Sequence, residues 1–237
     1  MSLLINNNFS GMILAAGFGK RMKPLTDNLP KPLIDINGLT LLENSINFLN
    51  DLGCKQIVIN SHYQSHEIKN FLKKYQNKKD ITLIYENEIL DTAGGVKNAI
   101  KYFKNKNLVV INSDIFWQKN NLLDAQILKK KYSLLNKPHI LLVRKNNAYG
   151  LKNSKGDFNI FKGKIIKFTK GNPILFYSGL QILNVDIFRS FNEKKFSFND
   201  VWDYFIINHS LYGSVMNSDW FHVGDIHGLN IVKKLFT

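Results

Sequence analysis

Apolar residues in this chain fall into short runs separated by polar stretches with helical spacing. The run Met12-Ile13-Leu14-Ala15-Ala16 predicts a buried strand over 11–16. Residues 39–52 set Leu42, Ile46 and Leu49 one turn apart and predict a helix that stops at Gly53. Further strands are expected at 56–60, 81–85, 108–112 and 140–143, with helices at 65–74, 94–103 and 122–135 between them. This alternation predicts an α/β fold: a doubly wound, mostly parallel sheet covered on both faces. Ligands bind such sheets beyond the carboxyl ends of the strands, where the strand order reverses.

After residue 148 the rhythm changes. Segments 158–161 and 164–168 flank Lys162-Gly163 and predict a hairpin, and 175–183 predicts another strand. Segments 186–191, 199–208 and 226–235 read as helices. No Pro- or Ser-rich linker interrupts the chain, so 1–237 is expected to be one domain with a change of role near residue 148.

Composition narrows the classes. The 237 residues are 44% hydrophobic and 21% charged, ordinary for a globular domain. No apolar run is long enough for a membrane span, and the first residues carry no basic leader or signal-like stretch, which favours the cytoplasm. The single cysteine, Cys54, excludes a disulfide framework within the chain and reads as a small core residue. The formal net charge of +14 could serve nucleic acid or an anionic surface. Only Arg21, Arg144 and Arg189 are arginines, however, and no clustered aromatic platform accompanies them, so neither a nucleic-acid nor a membrane partner is expected. A positive field also suits a site that gathers phosphates.

The strongest chemistry follows the first strand. Ala15, Ala16, Gly17, Gly19, Lys20 and Arg21 combine small residues, whose N–H groups a phosphate can approach, with cations that can clamp it. The loop is neither a Walker A nor a dinucleotide fingerprint: Leu14 and Met22 stand where glycines are required. A second candidate is Asp114, which ends the apolar run 108–112 at the mouth of the sheet. A carboxylate there can hold Mg²⁺ or cap a turn. A third is Asp91-Thr92-Ala93-Gly94-Gly95, small residues opening a helix that can meet a base or phosphate, or simply cap and pack.

Residues 12–33, MILAAGFGKRMKPLTDNLPKPL, resemble the signature L-A-A-G-x-G-x-R-M-x-P-L-T followed by P-K-P-L of the sugar-1-phosphate nucleotidyltransferases. The resemblance implies the nucleotide-diphospho-sugar transferase fold. It implies a reaction between a nucleoside triphosphate and a sugar 1-phosphate that yields an NDP-sugar and pyrophosphate. It assigns catalytic roles to Arg21, Lys31 and Asp114, with Asp114 carrying Mg²⁺. Nucleotide contacts fall on the 15–21 loop, on Thr92, Ala93 and Gly94, and on Asn60 and His62 of an N-x-H-Y segment, where His62 either touches nucleotide or fixes the loop. On the sugar side are Asn112, Tyr177-Ser178-Gly179, which resembles an F-S-G segment, and Asp157 of a G-D-F segment. Lys170 or Lys167 stands in for a missing Glu-Lys-Pro lysine. Residues 1–148 thus form a nucleotide-binding half and 149–237 a sugar-phosphate half. The hexapeptide repeats of a β-helical extension are absent.

Trp220-Phe221-His222-Val223-Gly224-Asp225 resembles W-x-D-[VI]-G-T, but His222 replaces the second metal-binding aspartate and Asp225 the threonine. Four readings stay open. His222 holds phosphate or a metal-bound water, Asp225 supplies the missing carboxylate, Asp114 and the phosphates hold the metal alone, or activity is lost. Asn112-Ser113-Asp114-Ile115-Phe116-Trp117 resembles the N-G-D-V-W of N-acetylmuramate-1-phosphate uridylyltransferases, which implies UTP as nucleotide and a role in peptidoglycan recycling. Guanylyl- and cytidylyltransferases acting on heptose phosphate or phosphocholine share the opening motif, and a non-catalytic nucleotide-binding module is the reading outside enzymology. The chain is expected to work as a monomer or small homo-oligomer.

Overall fold

The computed structural model describes residues 8–75, 80–151, 155–171 and 173–236. Most of the N-terminal stretch read for a leader lies outside them. The first half alternates as expected, with one unexpected hairpin of two-residue strands before the first helix: β1 (Ser10–Leu14), the hairpin strands β2 (Asp35–Ile36) and β3 (Leu39–Thr40), α1 (Leu41–Asp51), β4 (Gln56–Ser61), α2 (Ser65–Lys74), β5 (Asp80–Tyr85), α3 (Asp91–Ala99), β6 (Asn107–Asn112), α4 (Lys119–Leu135) and β7 (His139–Arg144). The second half adds β8 (Ala148–Tyr149), β9 (Phe158–Phe161), β10 (Lys164–Lys167), β11 (Leu175–Asn184), α5 (Phe198–Ile207), β12 (Tyr212–Val215), β13 (Trp220–Phe221) and α6 (Ile226–Phe236).

Nine strands form one sheet in the order β5-β4-β1-β6-β11-β7-β12-β10-β9. From β5 to β6 all pairs are parallel. The order reverses at β1: the chain lays β4 and β5 on one side of it, then returns to place β6 on the other. The remainder is mixed. β11 runs antiparallel between β6 and β7, β12 is parallel to β7, and β10 and β9 are antiparallel additions.

Alternation along the strands covers both faces. Ile13, Ile57, Ile59, Val109 and Ile111 point into a core with α1, α2 and α4, while Met12, Val58, Leu108 and Val110 point into the core under α3 and α5. A third cluster joins Met22, Ile34 and Ile36 to Phe116, Phe221, Leu229 and Val232, so α6 anchors the arm that follows the first loop.

Boundaries differ from the expected ones for identifiable reasons. The first strand ends at Leu14, and Ala15 and Ala16 belong to the loop. Helix α1 starts at Leu41 because the Thr40 hydroxyl accepts the Glu43 N–H at 3.1 Å. Residues 185–190 form a 3₁₀ turn rather than an α-helix, begun by Asn184 accepting the Asp186 N–H at 2.9 Å. Strand β12 had no expectation. Gly213 within it lies where a Cβ would meet Ile165 Cδ1 at 2.5 Å and the Ile140 carbonyl at 2.9 Å, so close packing selects a residue of low strand propensity.

Candidate active site

A cleft of about 550 Å³ opens at the carboxyl ends of β1, β4 and β6, at the reversal point. Its first wall is the loop from Ala15 to Arg21. Asn60 at the end of β4 accepts the Ala15 N–H at 2.9 Å, so that amide is already engaged and Ala15 meets a ligand by its surface, not by its donor. Beyond it, Gly17 has open space where a side chain would sit. Gly19 adopts φ +65°, and its carbonyl accepts from the Met22 N–H at 2.8 Å and the Thr26 hydroxyl at 2.9 Å. That left-handed residue turns the chain so that Lys20 and Arg21 line the cleft. Phe18 stands at the rim, edge-on to His62 and under the Lys20 ammonium at 5.2 Å.

Opposite lies Lys31, on a short 3₁₀ turn opened by Pro30 and containing Pro32. Its ammonium donates to Asp114 Oδ2 at 2.8 Å and to the Gly224 carbonyl at 3.4 Å. His222 Nε2 is 3.6 Å from the same Asp114 oxygen. Burial pushes the Asp114 carboxyl up, but Lys31 and His222 together outweigh it and hold the group well below the usual carboxylate range. Asp114 Oδ1 is buried with no hydrogen-bond partner. An anionic oxygen left over at the cleft fits a hard cation, the group that the family resemblance places there. Among the described residues, no three His, Cys, Asp or Glu side chains come together as a complete metal site.

The residues expected to meet the nucleotide base divide. Thr92 lines the cleft, and its hydroxyl accepts the Phe198 N–H at 2.9 Å. The Gly94 N–H donates to the Phe196 carbonyl at 3.0 Å, and a Cβ there would strike the Lys194 carbonyl at 2.5 Å. Gly94 and the buried Ala93 therefore pack α3 rather than face the cleft. His62 also stands off the wall: its Nδ1 is 2.7 Å from the Glu86 carbonyl and its ring stacks on Tyr85. Asp91 lines the cleft with φ +63°, a left-handed conformation unusual for a non-glycine residue.

Glu86, which the sequence reading passed over, sits in the cleft wall at 2% exposure. Its Oε1 accepts from Asn60 Nδ2 at 2.8 Å, so Glu86, Asn60 and the Ala15 amide form one chain of hydrogen bonds. Burial raises its pKa, and the bonds from Asn60 and Leu90 only partly oppose this. The available signal was an acidic residue directly after an apolar strand, the same signal that singled out Asp114.

Of the residues expected to meet the sugar, Asn112 lines the cleft and Gly179 sits against it in a bulge of β11, where the register with β7 shifts between Tyr177 and Gln181. Tyr177 OH and Ser178 Oγ are buried without partners. Burial, with the Asp114 charge adding to it, pushes the Tyr177 phenol well above its ordinary value. Asp157 Oδ2 accepts the Tyr177 N–H at 2.9 Å, and burial raises its pKa. Lys170 is exposed and does not line the cleft, and Lys167 pairs with Asp203. Asp225 Oδ1 accepts the Gly228 N–H at 2.9 Å, which caps α6 and keeps the carboxylate away from the cleft wall.

Residues 10–232 match the family model for nucleotidyl transferases. The chain is 32% identical over 196 residues to the D-glycero-alpha-D-manno-heptose 1-phosphate guanylyltransferase of Campylobacter jejuni, covering 80% of this chain and 82% of that protein. It is 24% identical over 220 residues to the N-acetylmuramate alpha-1-phosphate uridylyltransferase of Caulobacter vibrioides, covering 90% and 91%. A mannose-1-phosphate guanyltransferase of Pichia angusta matches at 36% over 109 residues, 44% of this chain but only 30% of that longer protein. The crystal structure of HddC from Yersinia pseudotuberculosis complexed with GMP-PN superposes with a TM-score of 0.75 at 24% identity, covering 97% of this chain and all of that one. With the cleft at the reversal point and the loop that opens it, these matches lead to one conclusion: the chain belongs to the nucleotidyl transferase family, as a sugar-1-phosphate nucleotidyltransferase.

Proposed function

We propose that this enzyme joins UTP to N-acetylmuramate 1-phosphate, releasing pyrophosphate, in the cytoplasm where its nucleotide is made. The observation that carries the catalytic reading is the Lys31–Asp114 pair at 2.8 Å, facing the phosphate loop across the cleft. The choice of UTP rests on the 112–117 segment and on the end-to-end match to the Caulobacter uridylyltransferase.

In this reading an oxygen of the sugar phosphate attacks the α-phosphorus, and the bond from that phosphorus to the pyrophosphate oxygen breaks. The Gly17–Lys20 segment and Arg21 hold the β- and γ-phosphates, with Arg21 able to grip two oxygens at once. Lys31 sits where negative charge gathers between the two substrates and brings them together. Asp114 Oδ1 would hold a magnesium ion, which supplies Lewis-acid neutralisation of the phosphates when bound. Glu86 and Asn60 fix the start of the loop, Thr92 and Asp91 border the base, and Asn112, Tyr177 and Gly179 shape the sugar end. No side chain needs to form a covalent intermediate.

The greater identity to the Campylobacter protein favours a second reading, GTP with a heptose 1-phosphate. Pyrophosphate release from a matrix of UTP, GTP and CTP against N-acetylmuramate 1-phosphate, heptose 1-phosphate and phosphocholine separates the readings. Turnover confined to UTP with the muramate sugar supports the first. Turnover with another pair replaces it, and saturable nucleotide binding without turnover by any pair reduces the chain to a binding module.

A further inference from the structure

We infer that the cation site of this enzyme contains one protein carboxylate oxygen, Asp114 Oδ1, and fills only together with the nucleotide, because His222 braces Asp114 from behind instead of ligating the ion. The inference rests on the nucleotidyltransferase reading of the cleft.

The placement of His222 carries it. Its ring stacks on Trp220 with centroids 5.4 Å apart and planes 8° from parallel, and Trp220 is tied by its indole N–H to the Ser178 carbonyl at 2.7 Å. The other side is closed by Gly224, where a Cβ would lie 2.0 Å from His222 Cε1. The backbone is fixed as well: the His222 N–H donates to the Tyr149 carbonyl at 2.9 Å, and the Val223 N–H donates to the Asp114 carbonyl at 2.8 Å. So held, the ring does not line the cleft, and its Nε2 approaches Asp114 Oδ2, the oxygen already bound by Lys31. His222 is thus a positioning residue for Asp114.

The other nearby acids are engaged: Asp91 Oδ1 takes the Thr92 N–H at 2.6 Å, Asp225 caps α6, Asp157 takes the Tyr177 N–H, and Glu86 takes Asn60. A hard divalent cation wants about six oxygens and gains little from one, with an ammonium on the adjoining oxygen. Phosphate oxygens complete the shell and neutralise that ammonium. Nucleotide and cation therefore load as a pair.

Mn²⁺ serves as the probe, read by electron paramagnetic resonance on nucleotide-free protein and by water-proton relaxation with UTP or GTP present, with circular dichroism confirming each variant's fold. The wild type without nucleotide should take up Mn²⁺ weakly. His222→Asp, which adds a carboxylate beside the first, should bind it at least about tenfold more tightly without nucleotide, a change of the size expected for altered ligation. His222→Gln should match the wild type in both states, whereas Asp114→Asn should lose the relaxation enhancement seen with nucleotide. Tight one-site Mn²⁺ binding by the nucleotide-free wild type that His222→Gln abolishes would make His222 a ligand and overturn the inference. An absence of tightening in His222→Asp would do the same. No enhancement with either nucleotide would instead strike the nucleotidyltransferase reading, while the nucleotide-free comparison still decides the role of His222.

Discussion

A buried and a partly buried carboxylate border the cleft and respond to pH in opposite senses. Asp114, held low by Lys31 and His222 against its burial, favours the charged form on folding. Its contribution to stability is present above the ordinary carboxylate range and is lost as pH falls through its folded value. Burial raises Glu86, and the Asn60 and Leu90 hydrogen bonds and the neighbouring His62 oppose this only in part, so folding favours the protonated form. Its contribution is complete below the ordinary range and is lost as pH rises through the raised value. Glu86→Gln, neutral at every pH and still able to accept from Asn60, should melt above the wild type near neutrality and converge with it in mild acid. A gap of constant size across a pH series of melts would remove burial as the governing cause. For catalysis the sensitive residue is Lys31: replacement by alanine should lower turnover per folded molecule about 10²–10³-fold, or ~3–4 kcal/mol, the effect of losing one preorganised cationic contact. A steady-state loss under threefold would take Lys31 out of the proposed mechanism. Arg21 and Asp114 stood out because each follows closely on an apolar strand, whereas Lys31 was pointed to only by the resemblance of residues 30–33 to a P-K-P-L segment. Glu86 was missed although it shares that placement, and the engagement of the Ala15 and Gly94 donors was hidden because their partners, Asn60 and Phe196, lie 45 and 102 positions away along the chain.

Element by element, what could be read followed local periodicity. Strands β1 and β4 to β7 and the helices between them have apolar spacing that declares both type and face, whereas the two-residue β2 and β3 are too short to show a period, and 39–40 fall within the span expected as the first helix. The bulge in β11 does not, because it is defined by its neighbours. Gly179 adopts φ +83°, and a Cβ there would stand 2.9 Å from Ile115 Cγ1. Gly179→Ala should therefore cost about 1–3 kcal/mol in backbone strain and crowding. In a chain of 237 residues that lowers the melting midpoint by about 2–10 °C. Because the same turn touches Asn112 at the cleft, the variant should raise KM for the sugar phosphate more than for the nucleotide. Equal changes in both constants would detach the bulge from the sugar end. Strand β12 escaped detection for a related reason, since its glycine answers to Ile165 and Ile140 rather than to its own neighbours in sequence.

Across the whole molecule the net charge of +14 gives a positive field that favours encounter with polyanions. Occupancy should also stabilise the fold. A nucleoside triphosphate at a hundred times its Kd adds about 2.7 kcal/mol, which raises the melting midpoint by about 5–10 °C for a domain of this size. A thermal-shift series with UTP, GTP, CTP and ATP reads this directly, and a flat series would refute nucleotide binding. No helix among the described residues is long and apolar enough to cross a membrane. The path of β11 has a consequence for biosynthesis. Its residues, 175–184, fill the middle of the sheet between β6 and β7, which are made much earlier. While the ribosome is still translating residues 149–174, β6 therefore presents an open row of amide and carbonyl groups along an apolar strand, a template for sticking to other nascent chains. The early portion of this enzyme should depend on chaperones until the ten residues of β11 arrive to seal it, and a chain released at residue 148 should accumulate as aggregate rather than as a free-standing nucleotide binder.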